Sequence, residues 1–517
     1  MKKLNILLLA FGALALSSCN DYLDKLPDDR AEVNTHEKAA LLLVKAYPDV
    51  SPDFLMELSS DNVTDNGRGY SAEQNQDMAY RWKDVTTLES DDPRDIWNDT
   101  YAAIGVANQV LTDLPKVTDK DTKDLEAEAL LCRAFSMFRL SNAFCMAYDS
   151  TKAKTYLGLP YPKVSGVSVN ERGTLSELYA NINADIEAAL PNVSDSHLKT
   201  PKYHFNRRAA YAFAARFNLY YHNYDKAIKY ATEAIGEDPS AMLRKVGTYM
   251  EYSNADDVKA RYINAGENAN LMLMTAVSIH GAMSMHPSLQ RYGHNSVILN
   301  AETFGADMPW GITYEGQRLF GSNEWVRYPK IDYQVEYKDK VAGTGWFRIV
   351  DAVFTADETL LVRAEAEALK GNFAAALRDI NYFLDSHASP FLDSKKTRKR
   401  PVMTEAIINS FMDELPEVPA LLKSDSDRGI KKPLHPQGFT VAKGTMTNLI
   451  HAILQLRRIE TWMQGLRFQD VKRYGLEICH MLDGEPTLEF KAGDLRGALQ
   501  LPEDVTTAGL QPNPRNK

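Results

Sequence analysis

The sequence predicts a mainly α-helical fold of paired helices, joined to an irregular, loop-rich lobe with a few short strands. Three observations carry that expectation. Residues 206–239 (NRRAAYAFAARFNLYYHNYDKAIKYATEAIGEDP) space apolar side chains helically on both sides of a turn around His222 to Asp225, with Pro239 as the stop. Residues 357–386 repeat the arrangement, with Gly371-Asn372-Phe373 at the turn. Between them, residues 281–347 lose helical spacing and gather glycine, proline and aromatic side chains. The small residues Ala215, Ala227, Ala234, Ala364 and Ala376 matter most, because two helices cross at roughly 8–10 Å only where the contact positions are small. A hairpin of this kind leaves an apolar face uncovered, so it predicts neighbours of the tetratricopeptide type.

The chain has 517 residues, 44% hydrophobic and 25% charged, which is the composition of a globular protein with a large core. Residues 1–18 read as an export signal: Lys2 and Lys3, then an apolar run from Leu4 to Leu16 that is short for a membrane span. Leu16-Ser17-Ser18-Cys19 resembles the bacterial lipobox, which makes Cys19 the expected lipidation site. The formal charge is −10, or about −12 once Lys2 and Lys3 are removed. That acidity argues against nucleic acid and against an anionic membrane surface as partners. Cys132, Cys145 and Cys479 form no disulfide framework and no C-x-x-C pair, and they read as buried small hydrophobes.

The remaining elements follow in order. Thr35 caps a helix to Ala46; residues 58–90 are loop-rich, with Arg68, Tyr70, Tyr80 and Trp82. Helices are expected from Ile96 to Leu114, with Asn108 bonding a neighbouring backbone, and from Lys123 to Phe144. Thr174 with Glu177 forms a capping box for a helix to Leu190. After the first hairpin, residues 270–279 read as a short strand or a buried helix end. The long segment that follows carries Tyr292, Trp310, Tyr314, Trp325, Tyr328 and Trp346, too many aromatics for disorder. Residues 387–445 are irregular, with the basic run 395–400 as a solvated loop, and a last helical region runs from Thr447 to Tyr474.

No G-x-S-x-G elbow, phosphate-binding glycine loop or H-E-x-x-H pattern is present. His280, His286 and His294 match no common zinc spacing, so neither a metal nor a cofactor is expected. Paired carboxylates of a glycosidase have no sequence spacing, which leaves a helical glycosidase as a minor alternative. The loop aromatics offer a binding surface instead. A ring covers the C–H face of a sugar while Asn, Asp and Arg satisfy its hydroxyls, at on the order of 1 kcal/mol per stacked ring beyond area burial.

The segment from Arg457 to Arg473 (RRIETWMQGLRFQDVKR) resembles the E-R-x-x-E-[L/F]-x-x-E-G-x-R-x-x-D-L-x-R signature of SusD/RagB-type outer-membrane lipoproteins of Bacteroidetes. Arg457, Glu460, Gly465, Arg467, Asp470 and Arg473 match, while Leu456 and Gln464 replace the usual glutamates. Their three-residue spacings predict ion pairs on neighbouring helical turns and a scaffold role. The start CNDYLDKLP, the Trp97 to Asn108 helix, Glu126 to Phe135, Gly158-Leu159-Pro160, Arg172-Gly173-Thr174 and Arg363 to Ala366 are similar to the family in the same order.

The resemblance implies one SusD-like domain over 19–517. Four tetratricopeptide-like hairpins would occupy about 35–265 and 355–480, a ligand lobe about 58–95 and 266–350, and an irregular insertion about 387–445. It further implies a surface lipoprotein that hands oligosaccharides, or peptides in the RagB-like branch, to a SusC-like TonB-dependent transporter, with no enzymatic activity. By region, it points to Arg68, Tyr80, Trp82, Trp310, Tyr314 and Trp325 as ligand contacts.

Overall fold

A computed structural model describes residues 33–166, 171–317, 319–322, 325–331 and 333–515, so the leader and Cys19 lie outside the described residues. The described residues are mostly helical, with a few small sheets. Short helices α1 (His36–Leu43), α2 (Asp53–Leu58) and α3 (Gln74–Tyr80) precede the first long pair, α4 (Pro93–Asp113) and α5 (Lys123–Phe144). Thr35 accepts from the Lys38 amide at the start of α1, and Asp92 caps α4 with Pro93 at its first position. Next comes α6 (Leu175–Ala189), opened by the reciprocal Thr174–Glu177 capping box, which packs on α5. Asn108 behaves as expected: its amide donates to Pro162 O at 2.9 Å, and its oxygen accepts from Arg133.

The second pair is α7 (Arg207–Tyr220) and α8 (Tyr224–Ile235), with Ala215, Ala227 and Ala234 fully buried at the contact. It ends earlier than Pro239: Gly236, at φ 82°, takes a conformation that only glycine adopts without strain and turns the chain out. The lobe between the pairs includes β1 (Asn270–Val277), the single turn α9 (Tyr314–Gln317) and the hairpin β2 (Tyr333–Asp339) and β3 (Thr344–Thr355). These strands form one antiparallel sheet, β1-β3-β2, in which Thr275 opposes Val350 and Glu336 opposes Trp346. Residues 270–279 are therefore mainly strand. The lobe has its own small core, where Tyr249, Tyr262, Tyr328 and Ile349 meet Ile459 and Trp462 of the scaffold.

The third pair, α10 (Ala356–Leu369) and α11 (Phe373–His387), sits at the centre, with α10 packed against α7, α8, α11 and a later helix. A fourth pair follows, α12 (Glu405–Glu414) and α13 (Thr445–Glu460), then α14 (Leu466–Tyr474) and the hairpin β4 (Ile478–Leu482) and β5 (Glu485–Phe490). All 14 residues of α10 are buried, including its acids and Arg363. A helix buried on every side must pair its charges, because an isolated buried ion costs far more than folding can supply. Arg363 therefore clasps Asp379 at 2.7 and 3.0 Å and donates to Gly236 O at the end of α8. Arg216 holds Glu358, while Arg473 and Tyr474 donate to Glu365.

The C-terminal motif is scaffold, with mostly different partners from those its spacing predicts. Arg457 reaches across to Asp470 (3.0 Å), and Arg467 and Arg458 converge on Asp61 in the loop after α2. Among the three spaced pairs only Asp470–Arg473 forms as expected. Between α13 and α14 the chain breaks at Gly465, where φ is 66° and an added Cβ would lie 2.9 Å from both Asp53 Cα and Met56 Cβ. The two pairs that do not form each lie within one helix, and their members are taken by other partners: Arg457 by Asp470, Arg467 by Asp61 and Glu460 by Thr355. Cys132, Cys145 and Cys479 are buried and free.

Candidate functional site

The two aromatics of the 58–95 loop come together, but inside the protein. Tyr80 lies between Tyr292 and His480, with ring centroids at 4.1 and 4.0 Å, and Trp82 covers the other face of His480 at 4.1 Å. Polar edges fix the stack: Trp82 Nε1 donates to Ser59 O, and the Tyr80 hydroxyl donates to Met481 O, each at 2.8 Å. These contacts hold Trp82 at φ 49°, a costly conformation for a bulky residue. Trp310 is also buried, in the main core. Tyr80, Trp82 and Trp310 thus have no ring face left for a ligand, which corrects the expectation for them; each fills core beneath a long loop. Tyr314 is half-buried against Gly247, and Trp325 is half-buried with the Arg327 guanidinium 5.8 Å from its ring. Arg68 is exposed and donates to Asp483 O. No ring contact joins Trp310 or Trp325 to the Tyr80 stack among the described residues.

The structure opens a different place. A cavity of about 1420 Å³ lies between α1, α4 and α5, the connector after α6, and β1. Its deepest polar group is Glu128 of α5, which accepts from the Tyr47 hydroxyl (2.6 Å), His197 Nε2 (2.6 Å) and His204 Nδ1 (2.8 Å). Burial works against the charge on Glu128, but the hydrogen bonds from His197 and His204 prevail and hold its carboxyl down to about 2. Burial likewise disfavours a charged His197, yet the bond to Glu128 raises its pKa above the ordinary value. One turn earlier on the same face of α5, Asp124 meets His36 Nε2 at 3.1 Å and His197 Nδ1 at 3.2 Å. The result is a chain of carboxylates and imidazoles along one wall. The mouth is mixed, with Tyr203, Leu41 and Val44 exposed near Lys45, Asp49 and Lys199.

The aromatic hairpin rises beside that mouth. Arg348 of β3 grips Asp49 through both terminal nitrogens, at 2.6 and 2.8 Å, and Asp49 lines the cavity. Side chains two apart on a strand share a face, so Trp346 projects on the side of Arg348, roughly 7 Å further along. Trp346 is 52% exposed. The opposite face carries Tyr333, Tyr337 and Phe347, with Tyr337 51% exposed. The site signal in the sequence is the alternation of Tyr333, Val335 and Tyr337 with Gln334, Glu336 and Lys338, which marks a strand with two different faces. The histidine wall has no such signal, because its members come from segments 69 to 88 residues apart.

Residues 21–219 match the SusD-like family described as starch-binding and associating with the outer membrane. Over that stretch the chain is similar to the SusD-like family. Solved SusD superfamily proteins have the same fold. One from Bacteroides vulgatus is 17% identical, with TM-score 0.62 over 94% of this chain and 100% of its own. One from Bacteroides thetaiotaomicron is 18% identical, with TM-score 0.60 over 93% and 100%. A laminarin-binding SusD-like protein is 16% identical, with TM-score 0.53 over 93% and 98%. No curated protein matches the chain in sequence. The matched stretch supplies α1, α4, α5 and the histidine connector, hence most of the cavity wall, while the Trp346 hairpin lies beyond it. No helix of the described residues is long and apolar enough to cross a membrane.

Proposed function

We propose that this SusD-like protein captures oligosaccharides at the cell surface and passes them to a partner TonB-dependent transporter, anchored to the outer membrane by a lipid on Cys19. The supporting observation is the pairing of an exposed tryptophan with a polar cavity: Trp346 offers a flat platform, and the rim and wall beneath it offer carboxylates, imidazoles and lysines for hydroxyls. The family's carbohydrate-binding character points the same way. Glu128 itself is unsuited to acid catalysis. A general acid must carry a proton at working pH, and Glu128 is held ionised with both oxygens committed to donors. Trp325, Tyr314 and Arg68 keep accessible atoms and serve as outer contacts for a longer chain.

Peptide capture, as in the RagB-like branch, is the second reading, favoured by lysines and aspartates side by side at the mouth. Titration calorimetry separates the two. Starch and laminarin oligosaccharides should bind, and Trp346→Ala should weaken them about tenfold. Binding of short peptides with silence across the glycans would replace the first reading with the second. Equal glycan affinity in wild type and W346A would move the site away from the hairpin.

A further inference from the structure

We propose that Glu315, His387 and Glu460 bind a divalent transition-metal ion of the zinc class, which pins the loop-rich lobe to the helical scaffold. The three come from separate elements: α9 of the lobe, the last residue of α11 and the last residue of α13. All are buried, and their ligand atoms lie within 4.8 Å of one another. His387 Nε2 stands 3.7 Å from Glu315 Oε1, 3.7 Å from Glu460 Oε2 and 3.7 Å from Asp357 Oδ1. It is wholly buried and has no hydrogen-bond partner among the described residues, as is also true of Glu315 Oε2.

The other ring nitrogen decides what Nε2 is. Nδ1 lies 3.1 Å from Phe383 O and 2.7 Å from Ser386 Oγ, and a carbonyl only accepts, so Nδ1 carries a hydrogen. In the neutral ring Nε2 then presents a lone pair to three carboxylates, and acceptors facing acceptors without water require a cation between them. A proton would be shared with one acceptor at about 2.7–3.1 Å. The equal stand-off from three oxygens is instead that of ligands around a common ion. Tetrahedral zinc with bonds of about 2.1 Å separates its ligands by about 3.4 Å, against 3.7 Å from His387 Nε2 to each glutamate. The surroundings also suit a metal ligand. The Phe383 ring stacks on His387 at 3.9 Å and fixes its plane, and Thr355 Oγ1 donates to Glu460 Oε1. Asp357, whose Oδ1 accepts from the Arg244 amide, lies beside the trio, and Arg244 and Lys330 are the neighbouring cations.

The test is elemental analysis and native mass spectrometry of the purified full chain after dialysis against zinc, manganese or calcium. One bound ion per chain is expected. It should be lost in His387→Gln and in Glu315→Gln and kept in His197→Gln, which alters only the cavity wall. Chelation should lower the thermal midpoint of the wild type and leave that of H387Q unchanged. The wild-type mass measurement stands even if a variant fails to fold. Absence of an ion after all three dialyses, an ion that survives H387Q, or an ion lost with H197Q would each overturn the site. So would an imidazolium at His387 in metal-treated protein, read by nitrogen NMR, because a proton would then occupy the place assigned to the metal.

Discussion

The loop after α2 and the β2–β3 hairpin are both rich in aromatics and both lie in segments without helical periodicity, yet they use those rings in opposite ways. In the loop, Tyr80 and Trp82 clamp His480 and tie the segment to the β4–β5 hairpin. In the hairpin, Trp346 and Tyr337 project past the last strand that could cover them, because β1 pairs only with the inner half of β3. Composition is the same; the difference is anchorage. The loop is fixed by hydrogen bonds from ring edges and by buried charges, so its rings turn inward. A two-stranded ribbon has backbone bonds of its own and can stand clear of the core with its side chains unpartnered. An aromatic residue thus becomes a candidate ligand platform when its backbone is satisfied without its ring.

Substitutions can break this contrast, and the largest effect belongs to the loop's charge anchor. Asp61 accepts from Arg467 at 2.7 and 2.9 Å and from Lys432 at 2.5 Å, with Arg458 at 3.5 Å. Burial opposes its ionisation, but Arg458 and Arg467 keep the carboxyl well below the usual carboxylate range. Asp61→Ala strands the buried Arg467, leaves Lys432 and Arg458 to share Glu302, and should cost about 3–5 kcal/mol in a urea titration. Trp82→Ala should come next, at about 3 kcal/mol from lost packing, since alanine keeps the Cβ that disfavours the left-handed backbone. In either variant, protein that remains folded should bind its ligand with near-normal affinity. Trp346→Ala should do the reverse, changing stability by less than about 0.5 kcal/mol while weakening the ligand by about 1.4 kcal/mol. A stability loss at Trp346 comparable to that at Trp82 would erase the distinction.

Much of the scaffold was legible in the sequence, for a physical reason. Alanines at helix contacts, the Thr174–Glu177 box and the turn at Gly371 are local instructions, and local geometry carries them out. The C-terminal motif was legible as scaffold but not in its partners. Arg467 ends on Asp61, 406 residues away, and no spacing rule reaches that far. The site was least legible. Aromatic composition pointed to Tyr80, Trp82 and Trp310, yet whether a ring faces in or out depends on what packs over it. The histidine wall and the group around His387 were invisible for the same reason: each takes its members from separate segments.

The smallest expected effect tests the cavity wall against the hairpin through pH. Glu128 has its carboxyl depressed to about 2, so its contribution is complete above the ordinary carboxylate value of about 4.5 and is lost only as pH falls toward 2. It therefore adds no slope between pH 5 and 9. His197 has its pKa raised, so its bond to Glu128 contributes fully below the ordinary histidine value of about 6.5 and fades as pH climbs through the raised value. Across the hairpin junction, Arg348 stays charged, since hydrogen bonding to Asp49 raises its pKa further. The thermal midpoint should thus fall slightly from pH 6 to pH 9, and His197→Gln should flatten that fall while W346A leaves it unchanged. His387, raised to about 9 in the metal-free chain, contributes to the fall in both proteins. A slope in H197Q as steep as the wild type's would therefore mean that the charged chain along α5 does not respond to its own histidine. The wall would then be a rigid lining, and any pH dependence of ligand capture would have to arise at the mouth.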